Sequence, residues 1–232
     1  MHTPRELAAV IDHTLLRPSA TRGEVERLCS EAAACGFRTV CVNPVLVVDA
    51  VRFLRGTSVG VCSVVGFPFG THLVTTKAHE AREAVKGGAT EIDMVIRIGA
   101  LKEGDDQAVL DDIRAVVEAA DGRGVKVILE TCYLTEEEKV RACTLAMEGG
   151  ASFVKTSTGY GPAGATVEDV ALMRRTVGEN LGVKAAGGIR TLGDALRMIQ
   201  AGARRLGTSG SVAIMEELGE KLKRGTPEHP PL

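Results

Sequence analysis

Two lysines stand inside apolar segments of this sequence, where a charged side chain is unexpected. Lys155 ends the run Phe153-Val154-Lys155, and Lys184 lies between Val183 and two alanines. Burying an ammonium group is energetically expensive, so one explanation is that each side chain points outward and carries its charge to solvent. The other is that both lysines share one interior, where desolvation and like charge lower the pKa of a lysine. A neutral amine placed there is the nucleophile that forms a Schiff base with a carbonyl substrate.

A Schiff-base cycle also needs a proton carrier, and Asp93 is the candidate. It lies between Ile92 and Met94 in another apolar run. A carboxylate within hydrogen-bond reach of the reacting group can take up and return protons. The alternative is a structural ion pair with one of the lysines, although such a pair does not exclude a catalytic role.

Two glycine-rich turns could bind a phosphate group. Gly187 and Gly188 precede Arg190, and Gly207 and Ser209 precede a predicted helix. Backbone amides exposed by glycine, a helix N-terminus and a nearby arginine together attract an anion. The alternative is that both segments are only tight turns between a strand and a helix.

Short Val/Ile-rich runs alternate with longer amphipathic segments, and this alternation predicts the elements that must position these residues. The predicted strands are 10–13, 39–42, 58–65, 91–96, 125–130, 153–157, 182–185 and 204–207. The predicted helices are 21–35, 72–86, 105–120, 135–147, 166–177, 191–201 and 211–223. Thr21, Thr135 and Thr191 each have an acidic residue three positions on, the pattern of a capping box at a helix start.

The spacing of the predicted strands, about 22 to 35 residues, is that of βα units. Eight units predict an α/β fold, a single (βα)8 TIM barrel over residues 1–224, followed by a flexible C-terminal tail over 225–232. If residues 10–13 are not a strand, an open seven-stranded sheet is the alternative. In a barrel the C-terminal strand ends form the active site, and side chains from even-numbered strands can share a layer. Asp93 on strand 4 would then lie across from Lys155 on strand 6.

Composition and charge exclude several classes of protein. The 232 residues carry 28 basic and 30 acidic side chains, a formal net charge of −2, which gives no electrostatic basis for binding nucleic acid or an anionic membrane. No uninterrupted apolar run reaches membrane-spanning length and no secretory pattern is present, so we expect a cytoplasmic protein. The six cysteines contain no CxxC pair, which favours reduced thiols. Cys41 is expected to be packed in a strand, or else to react with aldehydes in a nearby pocket.

Two further ligand classes are disfavoured by spacing. The five histidines form no HxH or HxxxH pair, so we predict no metal site. Gly159, Gly161 and Gly164 spell the GxGxxG pattern of dinucleotide sites. The motif falls in the sixth βα unit rather than the first, and Pro162 removes one backbone amide, so we predict no nicotinamide cofactor.

The same segments, in order from about residue 7 to 215, resemble the deoxyribose-phosphate aldolase family. The matching segments are IDHTLL (11–16), VVGFPFG (64–70), EIDMVI (91–96), KVILET (126–131), FVKTSTGY (153–160), VKAAGGIR (183–190) and RLGTSGS (205–211). The resemblance implies a class I aldolase on a (βα)8 barrel that uses neither metal nor cofactor. It implies reversible cleavage of 2-deoxy-D-ribose 5-phosphate to acetaldehyde and D-glyceraldehyde 3-phosphate, in deoxyribonucleotide catabolism.

The resemblance also implies roles for individual residues. Lys155 would form the Schiff base, Asp93 would carry protons, and Lys184 would be the second lysine that perturbs the first. Asp12 would lie near the substrate hydroxyls. The remaining residues expected to bind substrate or phosphate are Thr156, Gly159, Gly187, Gly188, Arg190, Gly207 and Ser209. Barrels of this kind commonly assemble, so a homodimer or homotetramer is expected.

Two positions depart from the family pattern. Some members carry a phosphate-binding lysine where this chain has Tyr160, so the phosphate would depend on Arg190 or backbone amides. Arg97 replaces an expected amide after EIDMVI. Two other hypotheses remain: a non-catalytic sugar-phosphate sensor, which needs no interior lysine pair, and a barrel isomerase or epimerase, which needs paired carboxylates or a metal. Lys155 and Lys184 distinguish the aldolase from both.

Overall fold

The computed structural model describes residues 3–225 and contains eight parallel strands that form a closed barrel in chain order. The strands are β1 (Ile11–Leu15), β2 (Thr39–Val42), β3 (Gly60–Val65), β4 (Glu91–Val95), β5 (Gly124–Ile128), β6 (Phe153–Lys155), β7 (Gly182–Ala186) and β8 (Arg205–Thr208). β1 pairs with both β2 and β8, and the latter pairing sets Asp12 opposite Gly207. The predicted (βα)8 barrel is therefore confirmed, and the open seven-stranded alternative is wrong.

Helices cover the outside of the barrel. They are α1 (Pro4–Ala8), α2 (Arg22–Cys35), α3 (Val47–Phe53), α4 (Val74–Lys86), α5 (Ile98–Glu103), α6 (Asp106–Ala119), α7 (Glu136–Glu148), α8 (Val167–Val177), α9 (Leu192–Gln200) and α10 (Ser211–Gly225). The core between helices and sheet is built mainly from Val, Ile, Leu and Ala side chains. Strands buried on both faces read as continuous apolar runs, and for this reason the strand pattern was visible in the sequence.

The predicted helix starts are confirmed at three threonines. Thr21, Thr135 and Thr191 each accept a hydrogen bond from the backbone N–H three residues on, and the acidic side chain at that position accepts from the threonine N–H. These capping boxes satisfy amide groups that no helical carbonyl can reach. They fix where α2, α7 and α9 begin and therefore the length of the loops before them.

Several boundaries differ from the prediction by one or two residues. β1 continues to Leu15, and β6 ends at Lys155 rather than at residue 157. The short helices α1, α3 and α5 were not predicted, because segments of five to seven residues are too short to show helical periodicity.

The C-terminal prediction is only partly within the described range. Gly225 is the last residue of α10, and residues 226–232 lie outside the described residues, so the boundary at residue 224 and the flexible tail stay predictions. Within residues 3–225, no helix has the length and apolar character that crossing a membrane requires.

Candidate active site

Lys155 and Lys184 both point into the barrel and meet the same carboxylate. Their Cα atoms are paired across β6 and β7. Both Nζ atoms lie 2.8 Å from Oδ2 of Asp93, and the two lysines are 2% and 0% exposed. An outward-pointing orientation is therefore excluded for either lysine. Asp93, on β4, lies across the barrel interior from β6, as the even-strand argument predicts.

Asp12, on β1, is the second carboxylate that contacts Lys184. Its Oδ2 lies 2.5 Å from the Lys184 Nζ, and its Oδ1 accepts a hydrogen bond of 2.8 Å from Arg205. Burial lowers the pKa of Lys184, but the charges of Asp12 and Asp93 outweigh burial and hold that pKa above its ordinary value. Lys184 is therefore a fixed cation at neutral pH.

Lys126 on β5 is a third buried lysine of this cluster, and the sequence analysis missed it. Its Nζ lies 2.8 Å from Asp93 Oδ1 and 2.7 Å from Glu91 Oε2. Burial opposes its charge, yet Asp93 and neighbouring anions raise its pKa well above the ordinary value. The signal was present, because Lys126 interrupts the apolar run of β5 as Lys155 and Lys184 interrupt theirs.

Arg205, at the start of β8, was also missed. Its Nη1 lies 2.8 Å from both Asp12 Oδ1 and Glu91 Oε2, and its guanidinium stacks 5.2 Å from the centre of the Phe153 ring. The buried cluster thus contains four cations and three carboxylates: Lys126, Lys155, Lys184, Arg205, Asp12, Glu91 and Asp93. When all are ionised it carries one excess positive charge, which the loss of a single proton would neutralise.

The pKa of Asp93 reflects the excess positive charge of the cluster. Burial raises it, but Lys126, Lys155 and Lys184 outweigh burial and hold it well below the ordinary carboxyl value. Asp93 is accordingly a carboxylate in the resting protein.

Two buried thiols lie beside Asp93. Cys62 donates to Asp93 Oδ1 at 3.1 Å. A hydrogen bond with Cys62 lowers the pKa of Cys41, whereas burial raises the pKa of Cys62. Cys41 is fully buried in a small apolar cluster, which confirms the interpretation as a packed strand residue.

The lysines around Cys41, Cys62 and Asp93 disfavour metal binding by these three residues. The two sulfurs and an Asp93 oxygen lie within 4.8 Å of one another, a spacing that could hold a metal. However, the Nζ atoms of Lys126 and Lys155 each donate a hydrogen bond of 2.8 Å to an Asp93 oxygen. A dication there would be placed directly against two ammonium groups, so the arrangement does not favour a metal centre.

A cavity of about 380 Å³ opens at the C-terminal ends of the strands. Its lining includes Lys155 and six of the residues expected to bind substrate or phosphate: Gly159, Gly187, Gly188, Arg190, Gly207 and Ser209. Asp12 and Thr156 are fully buried and do not line it. The Thr156 hydroxyl instead bonds the N–H and C=O of Ala186, which ties the end of β6 to the end of β7.

Glu130 shapes the rim of this cavity. Its backbone is left-handed, with φ 56°, and its carboxylate accepts hydrogen bonds from the backbone N–H and the hydroxyl of Thr158. The Thr158 hydroxyl in turn accepts from the N–H of Tyr160 at 3.0 Å. Glu130 thereby fixes the loop after β6 that carries Gly159 and Tyr160.

A buried lysine cluster under a glycine-lined mouth defines the class of (βα)8 barrel enzymes that act through a lysine amine. The sequence profile of the DeoC/LacD family aldolases matches residues 7–215. The chain belongs to that family, and the resemblance read from its motifs is confirmed.

Individual relatives agree with this assignment. A deoxyribose-phosphate aldolase of Thermoanaerobacter sp. strain X514 is 59% identical over 220 residues, which cover 94% of this chain and 98% of the relative. That of Aciduliprofundum boonei is 58% identical over 216 residues, or 92% of this chain and 97% of the relative. The solved tetrameric deoxyribose phosphate aldolase of Aeropyrum pernix superposes with a TM-score of 0.89 at 35% identity, covering 94% of this chain and 93% of that one.

Proposed function

We propose that this chain is a class I aldolase that reversibly cleaves 2-deoxy-D-ribose 5-phosphate to acetaldehyde and D-glyceraldehyde 3-phosphate. The observation that carries the proposal is the position of Lys155. Of the four cluster cations, Lys155 alone lines the mouth cavity among the described residues, and its Nζ contacts Asp93. The relatives named as deoxyribose-phosphate aldolases support the substrate.

The ion pairs of the cluster single out Lys155 as the nucleophile. Lys184 is held by Asp12 and Asp93, and Lys126 by Glu91 and Asp93. Lys155 contacts a single carboxylate, so removing its proton breaks the fewest ion pairs and also cancels the excess positive charge. The resulting amine is free to attack the aldehyde carbon C1 of the open-chain sugar.

The cycle then proceeds through covalent intermediates on Lys155. The carbinolamine loses water to give an iminium, and the C3 hydroxyl loses its proton as the C2–C3 bond breaks. The bond electrons move to the iminium and leave an enamine, while D-glyceraldehyde 3-phosphate departs. Protonation of the enamine carbon and addition of water release acetaldehyde and restore the amine.

Asp93 is proposed to carry protons in these steps. Its Oδ2 accepts hydrogen bonds from both Lys155 and Lys184, and its Oδ1 accepts one from Lys126. When Lys155 is neutral, one of the three lysine charges that depress the pKa of Asp93 is gone. Asp93 is then a better proton acceptor at the step where the carbinolamine forms. We assign Lys184 the role of a permanent cation that orients Asp93.

The phosphate is proposed to bind at the turns after β7 and β8. Gly187 and Gly188 have φ of 86° and 80°, which lets adjacent backbone amides face one ligand. Arg190 and Ser209 line the same part of the cavity, and α10 begins two residues after Ser209. The N-terminal end of this 15-residue helix adds a partial positive charge.

We also propose that the chain forms homodimers or homotetramers in the cytoplasm and has no nucleic-acid partner. Four large apolar side chains are 66% to 84% exposed on the connections after β2 and β3: Val45, Val48, Phe69 and Leu73. A second copy of the chain would cover them. The tetrameric relative supports assembly, and six free cysteines suit a reducing compartment.

Turnover of the sugar phosphate by the full chain tests the main proposal. We expect acetaldehyde and D-glyceraldehyde 3-phosphate to appear in equal amounts, and Lys155→Leu to abolish turnover while its circular dichroism stays that of the native fold. Activity retained by Lys155→Leu would refute the mechanism. Binding without turnover by the native chain would favour the sugar-phosphate sensor instead.

A further inference from the structure

Arg17 occupies a position at the mouth that the sequence analysis gave no role. It follows β1 by two residues and lines the same cavity as Lys155, Gly187 and Ser209. A second cavity, of about 170 Å³, adjoins this point and is also lined by both Arg17 and Ser209. Arg17 and Ser209 therefore share the walls of two adjoining cavities at the rim.

Barrel closure explains why these two residues meet. β1 and β8 are hydrogen-bonded neighbours, with His13 opposite Thr208. Arg17 comes four residues after His13, and Ser209 comes directly after Thr208. The loop after β1 thus covers the turn after β8, although the two segments are almost the whole chain apart in sequence.

Arg17 also reaches toward the loop after β6. Burial raises the pKa of the Tyr160 hydroxyl, and the positive charge of Arg17 partly offsets this rise. Tyr160 packs edge-on against Phe67, with ring centres 5.4 Å apart, so its ring has a defined place on the rim. Arg17 thus lines the mouth together with Tyr160 of the β6 loop, Ser209 of the turn after β8 and Arg190.

The guanidinium group of Arg17 makes one hydrogen bond to Glu24 and keeps further N–H donors for a ligand. One Nη group of Arg17 donates to Oε1 of Glu24. Oε2 of Glu24 accepts from the backbone N–H of Thr21 and so forms part of the capping box of α2. The remaining N–H groups have no described partner within residues 3–225, and the side chain is 46% exposed. Exposed ion pairs are weak and a guanidinium has five N–H donors, so Arg17 can keep Glu24 and still bind an anion.

We infer that Arg17 is a specificity-determining residue that binds the phosphate group of the substrate together with Arg190, which lines the same cavity. This inference rests on the proposed function and adds a cation to the phosphate subsite. It also accounts for the tyrosine at position 160, because Arg17 supplies from the β1 loop the positive charge that a lysine there would supply from the β6 loop. A phosphate dianion that contacts two guanidinium groups forms charge-assisted hydrogen bonds with both of them.

The test compares two substrates, 2-deoxyribose 5-phosphate and unphosphorylated 2-deoxyribose. We expect Arg17→Leu to lower kcat/KM for the phosphorylated sugar roughly ten- to hundredfold, the usual effect of losing one charge-assisted hydrogen bond, and to leave the unphosphorylated sugar unchanged. Arg17→Lys should restore part of the loss. Arg22→Leu is the matched control, since Arg22 is an exposed arginine on α2 that pairs with Asp49 and does not line the cavity.

Glu24→Gln separates phosphate binding from a structural role of the Arg17–Glu24 pair. Glutamine can keep the capping box, so α2 should begin as before. If Arg17 binds phosphate, removing the Glu24 charge should lower KM for the phosphorylated sugar, the opposite of Arg17→Leu. If the pair is only structural, both variants should change both substrates in the same direction, which would overturn the inference.

The two proposals fail in different ways. If the native chain cleaves neither sugar, the proposed function is refuted. If it cleaves the phosphorylated sugar but the ratio of kcat/KM between the two substrates is the same in Arg17→Leu, only the role of Arg17 is refuted.

Discussion

Lys155 and Lys184 are neighbours that differ in how firmly their charge is held. Lys184 lies between Asp12 and Asp93, which keep its pKa above the ordinary value. Lys155 faces the cavity and touches Asp93. Both lysines interrupt apolar runs in the sequence, yet we assign them different roles. Lys184 is a permanent cation, and Lys155 is the nucleophile.

Lys184→Leu tests this division of roles. Removing one fixed positive charge from the cluster makes it easier for the remaining groups to hold their protons, so a higher pH is needed to neutralise the cluster. We expect a large fall in kcat and a pH optimum shifted to higher values, measured from the pH–rate profile. An unchanged profile would contradict the electrostatic role of Lys184.

Lys126→Met provides the comparison. It removes the same charge from the cluster, but Lys126 binds Oδ1 of Asp93 while Lys155 and Lys184 share Oδ2. A shift in the same direction as for Lys184→Leu would show that the net charge of the cluster matters. A shift in Lys184→Leu alone would show that the shared oxygen matters.

Sequence reasoning found three residues of the buried cluster, Lys155, Lys184 and Asp93, and missed Lys126 and Arg205. Lys155, Lys184 and Asp93 stood out because they interrupt apolar runs. Lys126 and Arg205 bind the same carboxylates. Lys126 interrupts the apolar run of β5 in the same way and could have been found, whereas Arg205 stands at the start of its strand, directly after another arginine. Which interior side chains share a layer depends on the stagger of neighbouring strands, and no local pattern shows that stagger.

At the scale of elements, the loop after β6 supports the loop after β7. Ala165 N–H donates to Gly187 C=O at 3.0 Å, and a Cβ on Gly164 would lie 2.3 Å from that oxygen. The glycines that spell a dinucleotide motif thus include one that lets two active-site loops pack together. Hydrophobic periodicity located the strands and long helices, but neither this contact nor the left-handed Glu130 could be predicted from it.

Gly164→Ala should disturb substrate binding from a distance. The added methyl group must displace Gly187, so we expect KM for the sugar phosphate to rise several-fold in steady-state kinetics. Gly219→Ala is the control, because a Cβ there meets nothing within 4 Å. It should leave KM unchanged and stabilise α10 by about 0.5–1 kcal/mol. Equal KM values for both variants would contradict the proposal that the loop after β6 holds the loop after β7 in place.

For the whole molecule, the buried cluster links function to stability. Asp12 bonds Lys184 and Arg205. Burial raises the pKa of Asp12, but the charges of Lys184, Lys126 and Arg205 together outweigh burial and hold that pKa below its ordinary value of 3.8. A carboxyl with a depressed pKa in the folded state stabilises the fold above its unfolded pKa. That stabilisation is lost as the pH falls through the folded value.

Asp12→Asn should therefore lower stability most near neutral pH. We expect its deficit in urea denaturation, followed by circular dichroism, to be largest at about pH 7 and to narrow at about pH 3, where the native Asp12 begins to lose this contribution. A deficit of equal size at both pH values would contradict an ionised Asp12 in the cluster.

Barrel closure is the feature of the whole molecule that the sequence shows least directly. It joins Ile11 to Leu206, at opposite ends of the chain. The count of eight βα units predicted it, because eight such units close into a barrel, but no local signal marks the contact. The same closure brings Arg17 to Ser209, a neighbourhood that only the folded chain reveals.

The most direct measurement is the reductive trapping of the Schiff base. Borohydride added in the presence of acetaldehyde should fix an ethyl group on one lysine, and peptide mass mapping should place it on Lys155. Lys155→Leu should give no adduct. Modification of Lys184 or Lys126 in its place, or no adduct on the folded native chain, would contradict the central claim that Lys155 is the lysine able to act as a nucleophile.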